Sequence, residues 1–232
     1  MRIAFLLTAT LLVSTAAAAQ QLTLDLGLVN SSGNSNVTSL NVGDKLSWAA
    51  GRVILTQNAK VLYGRTEGVT TSESYDAGAR AQYPLSKRIG VYALVAFQRD
   101  PFAGVASRWA GGPGLSAAVL QTPHDTLGVE TGITEERQRS TANVTQSFAA
   151  ERTAASYKHL FQGKAFATQT LELIANLETM DDLRLNSETA LTAPLSKQVG
   201  LRVSYVIRFD NQPEPGFKTT DRILTTGVQI AF

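Results

Sequence analysis

The sequence predicts an all-β protein, a transmembrane antiparallel up-and-down β-barrel of about 12 strands with short periplasmic turns and longer outer loops. Three observations predict it. Apolar and polar residues alternate along most of the chain after residue 20, no later apolar run reaches the ~20 residues of a transmembrane helix, and charged residues make up only 17% of the 232 residues. Soluble proteins carry about a quarter, so something other than water is expected to cover part of this surface.

The first 19 residues are typical of a secretory signal peptide. Arg2 provides the positive start, residues 3–13 an apolar core, and residues 17–19 the small side chains of a cleavage site before Gln20. The alternative, an N-terminal core helix, has no helical partner downstream. We therefore predict a signal peptide at residues 1–19 and an outer-membrane β-barrel at residues 20–232, reached by export to the periplasm.

A period of two defines the strands, because successive side chains of a strand point to opposite faces. In the last segment Val228, Ile230 and Phe232 alternate with small and polar residues. Alternation is poor near residues 57, 152 and 166, so the facing of those segments stays open. A tilted membrane strand needs ~9–11 residues, and suitable segments are predicted at 22–29, 37–48, 53–64, 73–84, 89–99, 107–119, 126–136, 146–158, 164–175, 183–194, 199–210 and 220–232.

Long and short connections alternate between these segments. Tight turns are predicted at 49–52, 85–88 and 195–198. With an even number of strands, this places both termini on the short-turn side, which faces the periplasm in outer-membrane barrels. The longer connections are predicted at 30–36, 65–72, 100–106, 137–145, 176–182 and 211–219.

One stretch of the chain is repeated. Residues 83–91 (YPLSKRIGV) recur as residues 193–201 (APLSKQVGL), and a looser match continues to Asp100 and Asp210. These stretches are interpreted as equivalent hairpins of the ring. The alternative is that the two turns are alike because Pro and Ser both suit turns.

The composition of the two faces separates a membrane barrel from a soluble sandwich or lipocalin-like barrel, which remains the alternative. The polar face is rich in glycine, as a narrow lumen requires, and the apolar face carries aromatic residues toward segment ends, as interfacial girdles do. The chain ends on Phe232, in phase with Val228 and Ile230. These three residues resemble the signal read by the bacterial barrel-assembly machinery, a predicted partner alongside outer-membrane lipid. The aromatic residues are Trp48, Tyr63, Tyr75, Tyr83, Phe97, Trp109, Phe209 and Phe232.

Six motifs occur in order along the chain: residues 27–35 (GLVNSSGNS), 63–65 (YGR), 99–104 (RDPFAG), 181–185 (DDLRL), 187–192 (SETALT) and 205–216 (YVIRFDNQPEPG). Together they resemble a family of bacterial proteins labelled salt-induced outer-membrane proteins, along nearly the whole mature chain. The resemblance implies an outer-membrane barrel and brings no activity, so it carries no catalytic or cofactor residues. Asp44 departs from the family pattern, which has a small residue there, and the alternation puts Asp44 on the lipid face.

The two histidines do not predict an enzyme. His124 and His159 fall in predicted periplasmic turns. An outer-membrane lipase needs a histidine near a serine on the outer lipid-facing side, and a protease needs one at the extracellular mouth, within hydrogen-bond reach of its partner. We therefore assign no catalytic residue.

Other polar motifs have structural explanations. Residues 111–114 (GGPG) lie inside a strand rather than before a helix, so a bulge is favoured over a phosphate cradle. The carboxylates within 178–182 match no calcium loop and, like Asp100 and Asp210, are interpreted as solvated. With Cys 0 and a net charge of +2, no thiolate metal site, cofactor or nucleic-acid partner is predicted.

The lumen is where charge needs an explanation, since unpaired charges away from water are costly. Positively and negatively charged residues, in similar number, fall at positions whose side chains the alternation predicts to face the lumen. They form either a paired network that fills a narrow barrel or the lining of a small polar pore. The candidates are Asp25, Lys45, Lys60, Asp76, Arg80, Arg108, Glu130, Glu136, Glu172, Arg184, Glu188, Arg202 and Arg208.

The sequence favours a non-enzymatic outer-membrane barrel, either a narrow polar channel or a structural envelope protein. A role under salt or osmotic stress is implied only by the family label. An outer-membrane lipase or protease and a surface adhesin are the alternatives, and short outer loops disfavour the adhesin. Nothing in the pattern specifies a substrate or an oligomeric state.

The signal peptide gives a first testable prediction. We expect the membrane-purified protein to begin near Gln20, because residues 17–19 form the cleavage site. Intact-mass spectrometry checks this, and a mature chain that retains Met1 would contradict it.

Overall fold

Twelve antiparallel strands form a closed barrel in the computed structural model, which describes residues 21–32, 37–66 and 69–232. This confirms the predicted fold class, while the predicted signal peptide lies outside the described residues. No helix among the described residues is long and apolar enough to cross a membrane. The strands are β1 (Gln21–Ser32), β2 (Val37–Ala50), β3 (Val53–Thr66), β4 (Val69–Pro84), β5 (Ile89–Asp100), β6 (Val105–Gln121), β7 (Asp125–Ser140), β8 (Thr145–Leu160), β9 (Phe166–Asn176), β10 (Leu183–Pro194), β11 (Val199–Asp210) and β12 (Thr220–Ala231), with a short 3-10 helix at Pro101–Ala103.

Each strand pairs with its neighbours in sequence, and β1 closes the ring by pairing with β12. Beyond the last rung, the backbone N–H of Phe232 donates to the Leu22 carbonyl at 2.9 Å. A closed ring leaves no free sheet edge, so the strand backbones are satisfied within the sheet. We call the end of the barrel that holds Gln21 and Phe232 the lower end, and the opposite end the upper end.

Several strands extend further toward the upper end than the alternation predicted. β4 begins at Val69 rather than at residue 73, and β7 continues to Ser140 rather than ending at 136. Polar residues in these extensions still pair across the ladder, since a strand end that leaves the apolar belt can be polar on both faces. The connections next to these extensions are therefore shorter than expected, whereas 211–219 has its predicted bounds. The two longest connections, 177–182 and 211–219, both lie at the upper end.

The bulge predicted at residues 111–114 is not present. Gly111 lies opposite Glu135 and Gly114 lies opposite Gly132, which is one continuous register, and the register shifts of this strand pair lie elsewhere. The proline cannot donate to the ladder. The glycines beside the proline let the two strands stay paired without a bulge. At Gly112, β6 lies so close to β7 that a Cβ there would overlap the facing backbone.

The two copies of the repeated stretch form the same turn at opposite sides of the ring. They join β4 to β5 and β10 to β11, six strands apart. In each copy the serine hydroxyl oxygen, of Ser86 or Ser196, accepts from the backbone N–H groups two and three residues later, at 3.2 and 3.0 Å. The repeat therefore marks geometrically equivalent hairpins at the lower end.

The outward face is an apolar belt. On β7 the odd-numbered residues from Thr131 to Arg139 are exposed, whereas Thr134 and Glu136 on the other face are buried. Aromatic residues lie on the outward face near both ends, and Val228, Ile230 and Phe232 share it. The large exposed apolar side chains of the belt include Leu26, Leu28, Val42, Val95, Leu115, Ile133, Leu171, Leu191 and Leu201.

Two carboxylates interrupt this belt at mid-height. Asp44 faces outward opposite Ala59, and one of its oxygens is buried without a hydrogen-bond partner in the structure. Glu151 also faces outward, and one of its oxygens accepts from the hydroxyls of Thr131 and Thr153 at 3.1 and 2.6 Å. A carboxylate in an apolar layer is costly, and the two threonines offset part of that cost for Glu151.

The closing strand gives a second prediction. We expect deletion of Phe232, or its replacement by a charged residue, to reduce membrane insertion, because the side chain is outward-facing and 62% exposed and its backbone extends the β1–β12 ladder. The measurements are heat-modifiable migration and yield in the outer-membrane fraction. Unchanged migration and yield would refute the expectation.

Candidate functional site in the lumen

The structure turns all thirteen candidate charges toward the lumen. Side chains that contact each other from strands that are not neighbours must face the lumen. Residues directly opposite them on neighbouring strands face the same way. For example, Asp25, Gly43, Lys60 and Asp76 lie on successive strands in one row. Twelve of the thirteen have hydrogen-bond or ion-pair partners, and Lys45 has none among the described residues.

The centre of the lumen is crossed by a chain of ion pairs, which we call the central network. Glu130 bridges Arg80 and Arg152, at 2.8 and 3.1 Å, and Arg152 also contacts Glu172 at 2.7 Å. The guanidinium of Arg80 lies over the ring of Tyr92, 4.7 Å from its centroid, and Arg152 donates to the Tyr92 hydroxyl at 3.2 Å. These residues come from five strands, β4, β5, β7, β8 and β9, so they fill that side of the lumen.

Two glycines make room for Tyr92. Tyr92 on β5 lies opposite Gly114 on β6, which lies opposite Gly132 on β7, and the next position in the row is Arg152 on β8. A Cβ at Gly114 would overlap the Tyr92 ring, and one at Gly132 would lie 2.9 Å from its hydroxyl. The ring therefore lies along the wall over both glycines, which brings its hydroxyl to Arg152.

A second cluster, which we call the bridge, spans the lumen on the other side. Glu188 on β10 contacts Lys60 on β3 at 3.1 Å and Arg202 on β11 at 2.7 Å, one carboxylate oxygen serving each cation. Strands β3 and β10 are five positions apart around the ring. The carboxylate thus joins opposite walls, and its two charge-assisted bonds hold the Lys60 side chain across the interior.

The register gives the bridge a different geometry from the one that the sequence predicts. An equal count outward from the tight turn at 195–198 predicts that Glu188 and Arg202 pair and lie level within a residue or two. Glu188 lies opposite Val206, and Arg202 lies opposite Thr192, so the two are staggered by four residues along the ladder. The contact forms because the long arginine side chain leans along the strand.

A third cluster lies toward the upper end. Arg208 contacts Asp76 at 3.0 Å and Asp100 at 3.6 Å, and Arg108 contacts Asp210 at 3.8 Å. Strands β5 and β11, which carry Asp100 and Arg208, are six positions apart, on opposite walls. Asp100 and Asp210 were predicted to be solvated; they are instead the last residues of β5 and β11 and pair inside the barrel.

The most buried ion pair also lies in this half. Arg184 on β10 and Glu136 on β7 approach to 3.4 Å, with side chains 6% and 1% exposed. Thr134 donates to Glu136 at 3.2 Å, and the Arg184 guanidinium lies 5.5 Å from the centroid of Phe148. These contacts seal the β7–β10 side of the upper lumen.

The 211–219 connection folds over the upper mouth. Its Glu214 accepts from Gln138, an inward residue of β7, at 3.0 Å, although β7 and β11 are four strands apart. A Cβ at Gly104, between β5 and β6, would lie 2.8 Å from Glu214 and 2.9 Å from Phe217. The loop is therefore held against the opposite rim by a hydrogen bond and by packing on a glycine.

The open space in the lumen lies along the wall from β11 through β12 and β1 to β3, and its upper part extends to β4 and the 3-10 helix. An upper basin of about 90 Å³ and a lower basin of about 30 Å³ share Asn41, Lys60, Ser204 and Thr225 as lining residues. Gly27, Gly43 and Gly227 line the lower basin. The two basins meet at their four shared residues, so the Lys60 side of the bridge lies at their junction, and Glu188 and Arg202 line the lower basin.

Sequence reasoning missed Arg152 and Tyr92. The alternation did not decide which side chains near residue 152 face the lumen. Glu151 and Arg152 are adjacent charged residues, so one of them faces outward in either orientation of the strand. The signal that identifies Tyr92 is its pairing with a glycine on the next strand, which requires the register. At the other open positions, Gln57 faces outward and Phe166 faces the lumen, where the Lys158 ammonium lies 4.3 Å from its ring centroid.

The histidines do not complete a catalytic triad. His124 lies in a turn, as predicted, but His159 lies in β8, facing outward at the lower end. Its Nδ1 is 2.7 Å from an oxygen of Asp125, which also accepts from the Tyr157 hydroxyl at 2.6 Å. In the part of the chain that the structure describes, His159 has no hydrogen bond to a serine or threonine hydroxyl that would act as nucleophile.

The acidic connection 177–182 is organised by its own hydrogen bonds. Asn176 donates to a carboxylate oxygen of Asp182 at 3.0 Å and accepts from the backbone of Glu178 at 2.8 Å. The described residues contain no group of three or more His, Cys, Asp and Glu side chains arranged to hold a metal ion.

The family model described as "Protein of unknown function, DUF481" matches residues 24–232. The chain belongs to this family. A relative described as uncharacterized protein YdiY of Escherichia coli (strain K12) is 23% identical over 203 residues, which cover 87% of this chain and 79% of the relative. Neither description carries the salt-induced label that the motifs suggested.

Two solved porin structures have a fold similar to that of this chain. The NanC porin superimposes with a TM-score of 0.61 at 11% identity, covering 89% of this chain and 98% of the porin. The KdgM porin in complex with disordered oligogalacturonate gives a TM-score of 0.52 at 10% identity, covering 90% and 99%. At such identities the likeness shows the barrel fold.

The bridge gives a third prediction. Glu188→Gln and Arg202→Gln should each destabilise the barrel, and the double change should cost less than the sum, because contacting charges have coupling energies of about 0.5–3 kcal/mol. The measurement is a double-mutant cycle on urea unfolding in detergent. Because Lys60 shares the carboxylate, a Lys60→Gln cycle with Glu188→Gln should couple as well. Additive effects in both cycles would show that the bridge does not form.

Proposed function

We propose that this protein is a bacterial outer-membrane barrel with a narrow polar channel, whose path follows the β11–β12–β1–β2–β3 wall and is controlled by the bridge. The observation that carries the proposal is the position of the two open basins, which lie end to end along this wall and meet at Lys60. The central network occupies the other side of the lumen, so a solute would pass only beside Lys60 and Glu188.

Membrane placement is supported by the outward face. Its apolar belt with aromatic residues toward both ends is suited to a bilayer rather than to water, and closure leaves no strand edge unpaired. Both chain ends of the barrel lie at the lower end, which we assign to the periplasm. NanC and KdgM are porins, and at their low identity to this chain they support the fold of the proposed channel rather than its solute.

The second candidate is a non-conducting structural barrel of the envelope. The observation that favours it is the number of ion pairs that cross the lumen, which stabilise a filled interior. A link to osmotic stress rests on the family resemblance of the sequence motifs alone. An enzyme is disfavoured because His159 lies at the lower end and, among the described residues, has no hydrogen bond to a serine or threonine hydroxyl. An adhesin is disfavoured by the short upper connections.

Planar-bilayer recording of the refolded mature protein tests the channel. We expect small, discrete conductance steps from the wild type and larger steps from Glu188→Gln, because the change releases Lys60 from the opposite wall. Ion selectivity should shift in opposite directions: toward anions in Glu188→Gln, which leaves Lys60 and Arg202 unneutralised, and toward cations in Lys60→Gln. Reversal potentials in a salt gradient measure this shift.

Glu135→Gln is the matched control, since Glu135 undergoes the same chemical change on the outward face. It should leave both conductance and selectivity as in the wild type. A heat-modifiable, folded wild-type protein that shows no steps, and whose Glu188→Gln variant shows none, would favour the structural barrel. Equal reversal potentials in all variants would remove the bridge from the conduction path.

A further inference from the structure

Three arginines face outward at the upper end of β5 and β7. Arg99 lies opposite Tyr75 on the outward face, Arg137 lies opposite Trp109, and Arg139 lies opposite Ser107. Same-face neighbours in a strand are ~6.6 Å apart, and strands two positions apart are separated by ~9.6 Å. The three guanidinium groups can therefore reach a single volume of headgroup size above Trp109.

This cluster has a net positive charge, because its three arginines outnumber the two outward carboxylates beside them, Glu73 and Glu135. Arg137 and Arg139 are exposed and make no hydrogen bond or ion pair within the described part of the chain. Arg99 contacts Glu73 at 3.2 Å and the Ala106 carbonyl at 3.1 Å, which fixes its position beside the other two. One arginine is thus held in place and two are available for a ligand.

The height of the cluster corresponds to a membrane boundary. Leu127, near the lower end of β7, lies opposite the aromatic Tyr157. Arg137 follows ten residues later along the same strand, and a tilted strand needs ~9–11 residues to cross the apolar layer. In the same row as Arg137, and two residues below Arg99 and Arg139, the rings of Phe97 and Trp109 pack with centroids 4.8 Å apart, and aromatic side chains are enriched at membrane interfaces.

We propose that Arg99, Arg137 and Arg139 bind the phosphate groups of a phosphorylated glycolipid in the outer leaflet. Guanidinium groups bind phosphate through two parallel N–H···O bonds, which ammonium groups cannot match. The Phe97–Trp109 pair lies where the sugar and the upper acyl chain of such a lipid would lie. The inference rests on the outer-membrane placement proposed above but not on conduction, since the cluster is outside the lumen.

The test is native mass spectrometry of the refolded mature protein in neutral detergent, titrated with bis-phosphorylated lipid A. We expect a saturable lipid adduct, with affinity reduced about tenfold or more in Arg137→Gln/Arg139→Gln, because two charge-assisted contacts are lost. Arg137→Lys/Arg139→Lys retains the charge and should lose affinity to a smaller extent. Dephosphorylated lipid A should bind to the wild type no more tightly than it binds to the double glutamine variant.

Arg222→Gln is the matched control, because Arg222 also faces outward near the upper end, on β12 at a distance from the cluster. It should bind the lipid as the wild type does. Equal binding by wild type and both double variants, equal loss in Arg222→Gln, or full binding of the dephosphorylated lipid would overturn the proposal. Inorganic phosphate that competes at the lipid's own concentration would show a simple anion site instead.

The outcomes also separate this proposal from the channel. A double variant that folds by heat-modifiable migration and conducts as the wild type, yet loses lipid, supports the lipid site. A wild-type barrel that conducts without binding lipid A overturns the lipid site and leaves the channel standing. A wild-type barrel that binds lipid A without conducting overturns the channel and leaves the lipid site standing.

Discussion

The pairing of β1 with β12 is the constraint on which the remaining structure depends. Until that ladder forms, two strands have open backbone groups that an apolar environment cannot satisfy. Once it forms, each strand has a fixed register with both neighbours, and a slip of one residue would turn all of its side chains to the other face. Closure therefore fixes which side chains share the interior, and it brings residues far apart in sequence, such as Asp76 and Arg208, within 3.0 Å.

The interior is filled by long side chains that lean over small ones. Tyr92 reaches Arg152 only because Gly114 and Gly132 leave the wall bare beneath its ring. The result is asymmetric, since the central network and Tyr92 fill the β4–β9 side, whereas Gly27, Gly43, Ser204, Thr225 and Gly227 leave space between the charged residues of the side from β11 to β2. Free space along that second wall follows from the small volume of these residues, and Lys60 of the bridge lies where the two basins meet.

The outward face has its own chemistry at defined heights. Glu151 is solvated by two threonine hydroxyls at mid-height, whereas Arg137 and Arg139 lie at the boundary, where charge can reach a headgroup. Both arginines extend from the part of β7 that the alternation had assigned to a loop. Polar residues on both faces of this segment predicted that the strand ends there. A strand that leaves the membrane nevertheless stays paired with its neighbours, because it loses only the need for an apolar face.

The sequence alone determined the number of strands, the antiparallel meander and the facing of most residues, because these depend on a local period of two and on the turn residues between strands. It could not settle Arg152, where two adjacent charges make both parities equally costly, and it indicated solvated side chains at Asp100 and Asp210 because their neighbours are polar. The partner of Glu188 shows the same limit: period and turn place Arg202 nearby, but Lys60 is 128 residues away in the chain. Only the closed ring decides such contacts, because the stagger between neighbouring strands accumulates around the barrel and no short segment of the sequence encodes its sum.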